Sequence, residues 1–118
     1  MNYLQATQEI TVIIPEITDE LKEVKAQNCY PVIEIFTDKI KNMIRQNDKT
    51  RLFRCLKKMN EIYRKGDTRM RNAIENSFIY SLDNCTAFCN KEYRTLIFGH
   101  LSQELQKVYA KQIYSHTI

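Results

Sequence analysis

Glycine, proline, histidine and tryptophan are scarce in this chain, whose 118 residues hold two Gly, two Pro, two His and no Trp. With glycine only at Gly66 and Gly99, a glycine-rich phosphate loop is excluded, because such loops need several closely spaced glycines for backbone approach. The same scarcity excludes a many-stranded barrel or sandwich, whose tight hairpins depend on Gly, Asn and Pro at fixed dihedral angles. Long apolar runs are also missing. The most hydrophobic stretch, Val12-Ile13-Ile14, is cut by Pro15, and nothing approaches the roughly 20 apolar residues of a membrane span. The start, Met1 to Ala6, has no basic region followed by an apolar run, so no export signal is expected and the chain reads as a cytoplasmic protein with no membrane partner.

The four cysteines, Cys29, Cys55, Cys85 and Cys89, read as reduced thiols in such a compartment, acting as small hydrophobes. Cys85 and Cys89 stand at i, i+4, but a tetrahedral metal site needs four good ligands, and His100 and His116 are not at finger spacing. Neither a metal nor a cofactor is expected. Catalysis has little support: no thiol is tied to a base, and no pair of carboxylates is singled out by an apolar setting. His100 reads as an interhelical hydrogen-bonding residue, and His116 falls at the terminus.

What is present is helical periodicity. Ile10, Ile13, Ile14, Ile17, Leu21 and Val24 make one stripe from about Tyr3 to Lys25, interrupted at Pro15. Asn28 and Pro31 mark a second start, with Val32, Ile33, Phe36, Ile40, Met43 and Ile44 as its apolar face. A third helix, about Asp48 to Lys65, sets Leu52, Cys55, Leu56, Met59, Ile62 and Tyr63 opposite Arg51, Arg54, Lys57, Lys58, Arg64 and Lys65. Asp48 and Asp67 are predicted N-caps, and Gly66 is predicted to take the left-handed conformation that ends the third helix. A fourth helix to Cys85 is the widest apolar arc and so the expected centre. A fifth is expected from about Glu92 to Tyr114. The fold is therefore all-α, one domain of five to six antiparallel amphipathic helices. Both a closed bundle and a helical-repeat-like stack fit it.

Charge is unevenly spread. Residues 1–38 carry net −5, residues 39–71 net +9, and the remainder net zero, within an overall +4. The basic third could follow a phosphate backbone. Solvation, or pairing with Glu16, Asp19, Glu20 and Glu23, is the plainer account. A second constellation lies on the fourth helix. Ala73, Ser77 and Ser81 form a strip of small side chains, while Asn72, Asn76 and Asp83 form a polar strip that is either a hydrogen-bonding network or a partner groove. Glu75 has Arg71 at i−4, the spacing of a surface ion pair.

The run Ile62-Tyr63-Arg64-Lys65-Gly66-Asp67 followed by Asn72-Ala73-Ile74-Glu75-Asn76-Ser77-Phe78-Ile79-Tyr80-Ser81-Leu82 resembles a family of small bacterial all-helical domains of unknown function, over residues 30 to 85. The resemblance implies a bacterial, cytoplasmic, stand-alone helical domain and carries no activity with it. The expected role is a non-catalytic protein-interaction or regulatory module, for example of the immunity or antitoxin kind. Its candidate partner-binding residues are Arg51, Arg54, Lys58, Lys65, Asn72, Asn76 and Asp83. The alternative is a nucleic-acid-binding module using the basic face of residues 39–71. Partner identity and self-association are not legible.

Overall fold

Side-chain caps set most helix starts in the computed structural model, which describes residues 1–22 and 29–116, with side chains as far as Ile113. Helix α1 (Tyr3–Ile13) opens with a reciprocal box: Asn2 Oδ1 accepts from the Gln5 N–H at 3.0 Å, and Gln5 Oε1 accepts from the Asn2 N–H at 3.0 Å. A single 3₁₀ turn, Pro15–Ile17, leads to α2 (Thr18–Lys22). Helix α3 runs Cys29–Gln46 and α4 runs Lys49–Lys65. Helix α5 is one rod made of Thr68–Ala73, a π-helical segment Ile74–Ile79, and Tyr80–Thr86. Helices α6 (Lys91–Gly99) and α7 (Gln103–His116) complete the chain. Glu23, Val24, Lys25 and Asn28, and the side chain of His116, lie outside the described residues.

The chain is thus all-helical, with no strand among the described residues, and seven helices stand where five or six were expected. Two breaks account for the difference. Pro15 lacks an N–H, and Ile14 before it leaves helical geometry at φ −133°, ψ 78°, so the first stripe divides while Ile10, Ile14 and Ile17 stay fully buried. The last stripe divides at His100–Ser102 because α4 reaches across. The Asn60 amide donates to the His100 carbonyl at 2.9 Å and its oxygen accepts from the Ser102 N–H at 3.0 Å. Ser102 Oγ then accepts from the Leu105 N–H at 3.2 Å and starts α7.

Asp48 and Asp67 act as N-caps as their positions predict, accepting from the Arg51 N–H at 3.4 Å and the Met70 N–H at 2.9 Å. Gly66 does not adopt the predicted left-handed conformation. Its φ and ψ are −73° and 152°, and the left-handed residue is Asn47, at φ 58°. Glycine is needed at 66 for space: a Cβ there would lie 2.7 Å from the Ile62 carbonyl oxygen and 2.9 Å from Met70 Cγ.

The core gathers Phe36, Ile33 and Ile40 from α3, Leu52, Leu56, Met59 and Ile62 from α4, and Met70, Ile74, Phe78 and Ile79 from α5, all at most 1% exposed. Each such side chain contributes about 1.5–3 kcal/mol on burial. Helix α3 packs against α1, α2, α4 and the full length of α5, so α3 and α5 share the centre that the sequence assigned to the fourth helix alone. Helix α1 packs on both α3 and α4, and Met1 meets the α4–α5 junction, its amino group donating to the Lys65 carbonyl at 2.6 Å. The helices therefore close into a globule with a Cα radius of gyration of 13.7 Å rather than an open stack. No helix is long and apolar enough to cross a membrane.

Candidate functional site

The basic face of α4 is partly neutralised by the acidic first third. Arg51 Nη2 donates to Glu16 Oε1, Lys39 Nζ to Glu20 Oε1, and Lys58 Nζ lies 3.2 Å from Glu9 and 2.9 Å from Glu61. Glu16 is held below the usual carboxylate range by a hydrogen bond from the backbone and then by Arg51, and Lys58 is raised chiefly by Glu61. Of the predicted contact residues, Arg51 and Lys58 are thus already partnered. Among the described residues Arg54, Lys57, Arg64 and Lys65 have no carboxylate within 4.0 Å and are exposed.

The polar strip expected on the fourth helix does not form one face. Asn72 and Asn76 are exposed, with Asn76 Nδ2 donating to the Tyr30 hydroxyl at 3.1 Å. Asp83 is turned towards α6 and α7, where it accepts from Arg94 Nη2 at 2.8 Å and from the Tyr109 hydroxyl at 2.7 Å. The π segment causes this, because one extra residue in the helix rotates everything after it by roughly 100° relative to an α-helical register. Ile79, which an unbroken α-helical register would set opposite the apolar face, is accordingly fully buried. The expected Arg71–Glu75 pair is also absent among the described residues. Arg71 donates to the Tyr63 and Arg64 carbonyls, and Glu75 accepts from the Tyr63 hydroxyl at 3.0 Å. His100 stacks its ring on Phe53 with centroids 3.9 Å apart.

Where α5 ends, the chain turns a tight corner. The Cys89 N–H donates to the Thr86 carbonyl at 3.1 Å, and Asn90 caps α6 by accepting from the Tyr93 N–H at 2.7 Å. Arg94 braces the corner from behind, donating to Thr86 Oγ1 at 3.0 Å as well as to Asp83, and lying over the Phe98 ring at 5.0 Å. Asp83 raises the Arg94 pKa, and burial followed by Asp83 raises that of Tyr109. A charge-assisted cluster of this kind holds its members in one geometry.

The braced corner projects Phe88 into solvent, 97% exposed. Beside it lies a groove of about 490 Å³ lined by Lys41, Ile44 and Arg45 of α3, Ser81, Asn84 and Cys85 of α5, and Phe88 and Cys89. A second hollow of about 470 Å³ shares Ile44 and Cys89 and continues along Lys49, Tyr93 and Leu96. Leu96 is 42% exposed there, and the Lys49 ammonium stands 5.5 Å from the Tyr93 ring centroid. The Tyr93 hydroxyl is buried without a hydrogen-bond partner among the described residues, and burial raises its pKa. An orphaned hydroxyl of this kind costs on the order of 1–3 kcal/mol, a feature that native structures rarely keep without use.

Reading the sequence alone missed this groove. Lys41 and Arg45 counted only as part of the basic third, and Phe88 fell in a break between helices. The signal available was an aromatic residue in the short connection between two helices. Cys85 and Cys89, read as small hydrophobes, are partly buried against the core and also line the groove wall, whereas Cys29 and Cys55 are buried, and all four are free thiols. Among the described residues no group of three His, Cys, Asp or Glu side chains could hold a metal ion.

No curated protein and no solved structure matches the chain. A family model does match, over residues 7–115, well beyond the stretch that carried the resemblance in sequence, and the chain therefore belongs to the family described as Domain of unknown function (DUF7674).

Proposed function

We propose that the protein is a non-catalytic interaction module whose corner groove receives a segment of a partner protein. The observation that carries this reading is Phe88, a fully solvated aromatic on the rim of a concave, partly apolar surface. Aromatic side chains dominate the energetics of protein interfaces, and covering one in a partner's pocket is worth about 1.5–3 kcal/mol. A regulatory role of the immunity or antitoxin kind is one form this takes.

The test is a photocrosslinking amino acid placed at position 88 and, for comparison, at position 54 on α4. A specific adduct from position 88 alone is expected. The adduct protein, once identified and purified, should bind wild type and lose on the order of tenfold or more in affinity to Phe88→Ala. Equal crosslinking from both positions, or affinity unchanged by Phe88→Ala, sinks the proposal. The second reading, nucleic-acid binding, draws support from Arg54, Lys57, Arg64 and Lys65, which share α4 and have no carboxylate within 4.0 Å among the described residues. A gel shift across a salt series separates the two: binding that weakens steeply with salt favours nucleic acid, and no retardation at low salt removes it.

A further inference from the structure

Two features of the groove specify its occupant: the sign of its rim and the shape of its floor. Lys41, Arg45 and Lys49 stand around it; among the described residues its lining holds one acid, Glu92, and Asp48 lies near enough to act on Tyr93. Arg45 and Lys49 have no carboxylate within 4.0 Å among the described residues, and Lys41 has only Asp38 at 3.8 Å, with Asp38 itself 70% exposed. This contrasts with Lys39, Arg51 and Lys58, which are bonded to Glu20, Glu16 and Glu9 of the acidic first third. The floor is divided: the more apolar hollow lies beside Cys85 and Phe88, and the other, where Leu96 and Tyr93 stand among Asn47 and Asn90, is more polar, with Ile44 and Cys89 common to both. Adjoining hollows that share a wall can take two side chains from one face of a single helix.

On these grounds we infer that the groove binds an acidic amphipathic helical segment of another protein, its apolar residues filling the two hollows and its carboxylates facing Lys41, Arg45 and Lys49. This rests on the interaction reading above and names its partner chemistry. A second copy of the chain is a poorer occupant than an acidic segment, because the chain carries net +4 overall and five of its carboxylates, Glu9, Glu16, Glu20, Glu61 and Asp83, are bonded to its own cations. Complementary rim charge sets partner choice and encounter rate, while the apolar anchors set affinity.

The probe is a fluorescein-labelled peptide of about four helical turns built from Glu, Ala and Leu, with Leu at i, i+4 and i+7, alongside the same peptide with Lys in place of Glu. The acidic peptide is expected to move the backbone amide resonances of Ile44, Arg45, Phe88 and Tyr93. Lys41→Glu combined with Arg45→Glu should weaken its binding about tenfold, and raising the salt should act in the same direction. Phe88→Ser, which alters a solvated side chain, provides the same readout should the charge reversals disturb folding. Equal binding of the lysine peptide overturns the inference. So do resonance changes confined to α4, or no change at millimolar peptide. A dimer in sedimentation that the charge reversals dissociate overturns it in favour of self-association. If the acidic peptide leaves the groove untouched while crosslinking from position 88 persists, the chemistry assigned to the partner is wrong and the interaction reading stands. If both fail, the interaction reading fails with them.

Discussion

Replacing Gly66 with alanine sets two opposed effects against each other. At φ −73° and ψ 152° the backbone accepts any L-residue, so alanine gains about 0.4–1 kcal/mol by restricting the unfolded chain. Against this, the new Cβ would sit 2.7 Å from the Ile62 carbonyl oxygen and 2.9 Å from Met70 Cγ. The carbonyl belongs to α4 and Met70 is 0% exposed, so neither yields without moving the α4–α5 junction. Overpacking of that kind costs about 1–3 kcal/mol. The clash should win, leaving the variant about 1–2 kcal/mol less stable in urea unfolding followed by far-ultraviolet circular dichroism, with the denaturant slope unchanged. Loss of stability alone does not separate a steric cause from a left-handed backbone. A double-mutant cycle with Met70→Ala does, because it removes the Cγ contact at 2.9 Å while leaving the Ile62 carbonyl at 2.7 Å and the residue-70 Cβ at 3.0 Å, and should reduce the cost of Gly66→Ala by up to about 1 kcal/mol. Strict additivity, or an alanine variant as stable as wild type, would refute the steric account. Asn47 gives the complementary result: at φ 58°, Asn47→Gly should be neutral within a few tenths of a kcal/mol, whereas Asn47→Ala should lose about 1 kcal/mol.

Removing the Asn60 amide leaves the His100 carbonyl and Ser102 N–H without their α4 partner, so Asn60→Ala should cost about 1–2 kcal/mol and raise hydrogen exchange at the α6–α7 junction first. Asp67→Ala removes the cap of α5 and should cost about 1 kcal/mol by thermal unfolding, a neutral result contradicting the capping geometry. The buried Cys55 thiol is pushed from 9.0 up to about 11 by desolvation. Unfolded chains then release its proton before folded ones do, so its stabilising effect is complete below pH 9.0 and is lost as pH rises towards about 11. The loss should run at up to about 1.4 kcal/mol per pH unit. Cys55→Ala should flatten that alkaline slope, and an unchanged slope would show the thiol to be uninvolved. A thiol-specific chromogenic reagent should label Cys89 and, more slowly because burial raises its pKa, Cys85 in the native protein, and Cys29 and Cys55 only on unfolding.

The parts of the fold legible in the sequence are those set by local chemistry. Asp48 and Asp67 announce helix starts because their carboxylates satisfy N–H groups three residues away, and the apolar stripe from Leu52 to Tyr63 needs no distant information to define a buried face. The pairing of Glu16 with Arg51 was also within reach, since opposite charge in successive segments of a short chain has few other places to go. The helix count was not, because the break between α6 and α7 is made by Asn60, some 40 residues earlier. Gly66 shows the same limit. A glycine after a lysine-rich last turn suggests a left-handed cap, but here the cause is Met70 and Ile62 closing over it.

The site was less legible than the fold, and the π segment explains why. Read at 3.6 residues per turn, Asn72, Asn76 and Asp83 share a face and Ile79 opposes the core. With Ile74–Ile79 wound as a π-helix, Asp83 instead meets Arg94 and Tyr109. Ser81, Asn84 and Cys85, also downstream of the segment, line the groove. Such insertions are uncommon and concentrate where function needs an altered register. Here a distant residue supports the altered winding: the Gln112 side chain of α7 donates to the Glu75 carbonyl at 2.8 Å, inside the π segment. Nothing near Glu75 in sequence signals that bond. The orientation of the groove wall, and of the corner that carries Phe88, therefore depends on a contact spanning 37 residues, closed only once α7 has docked on α5.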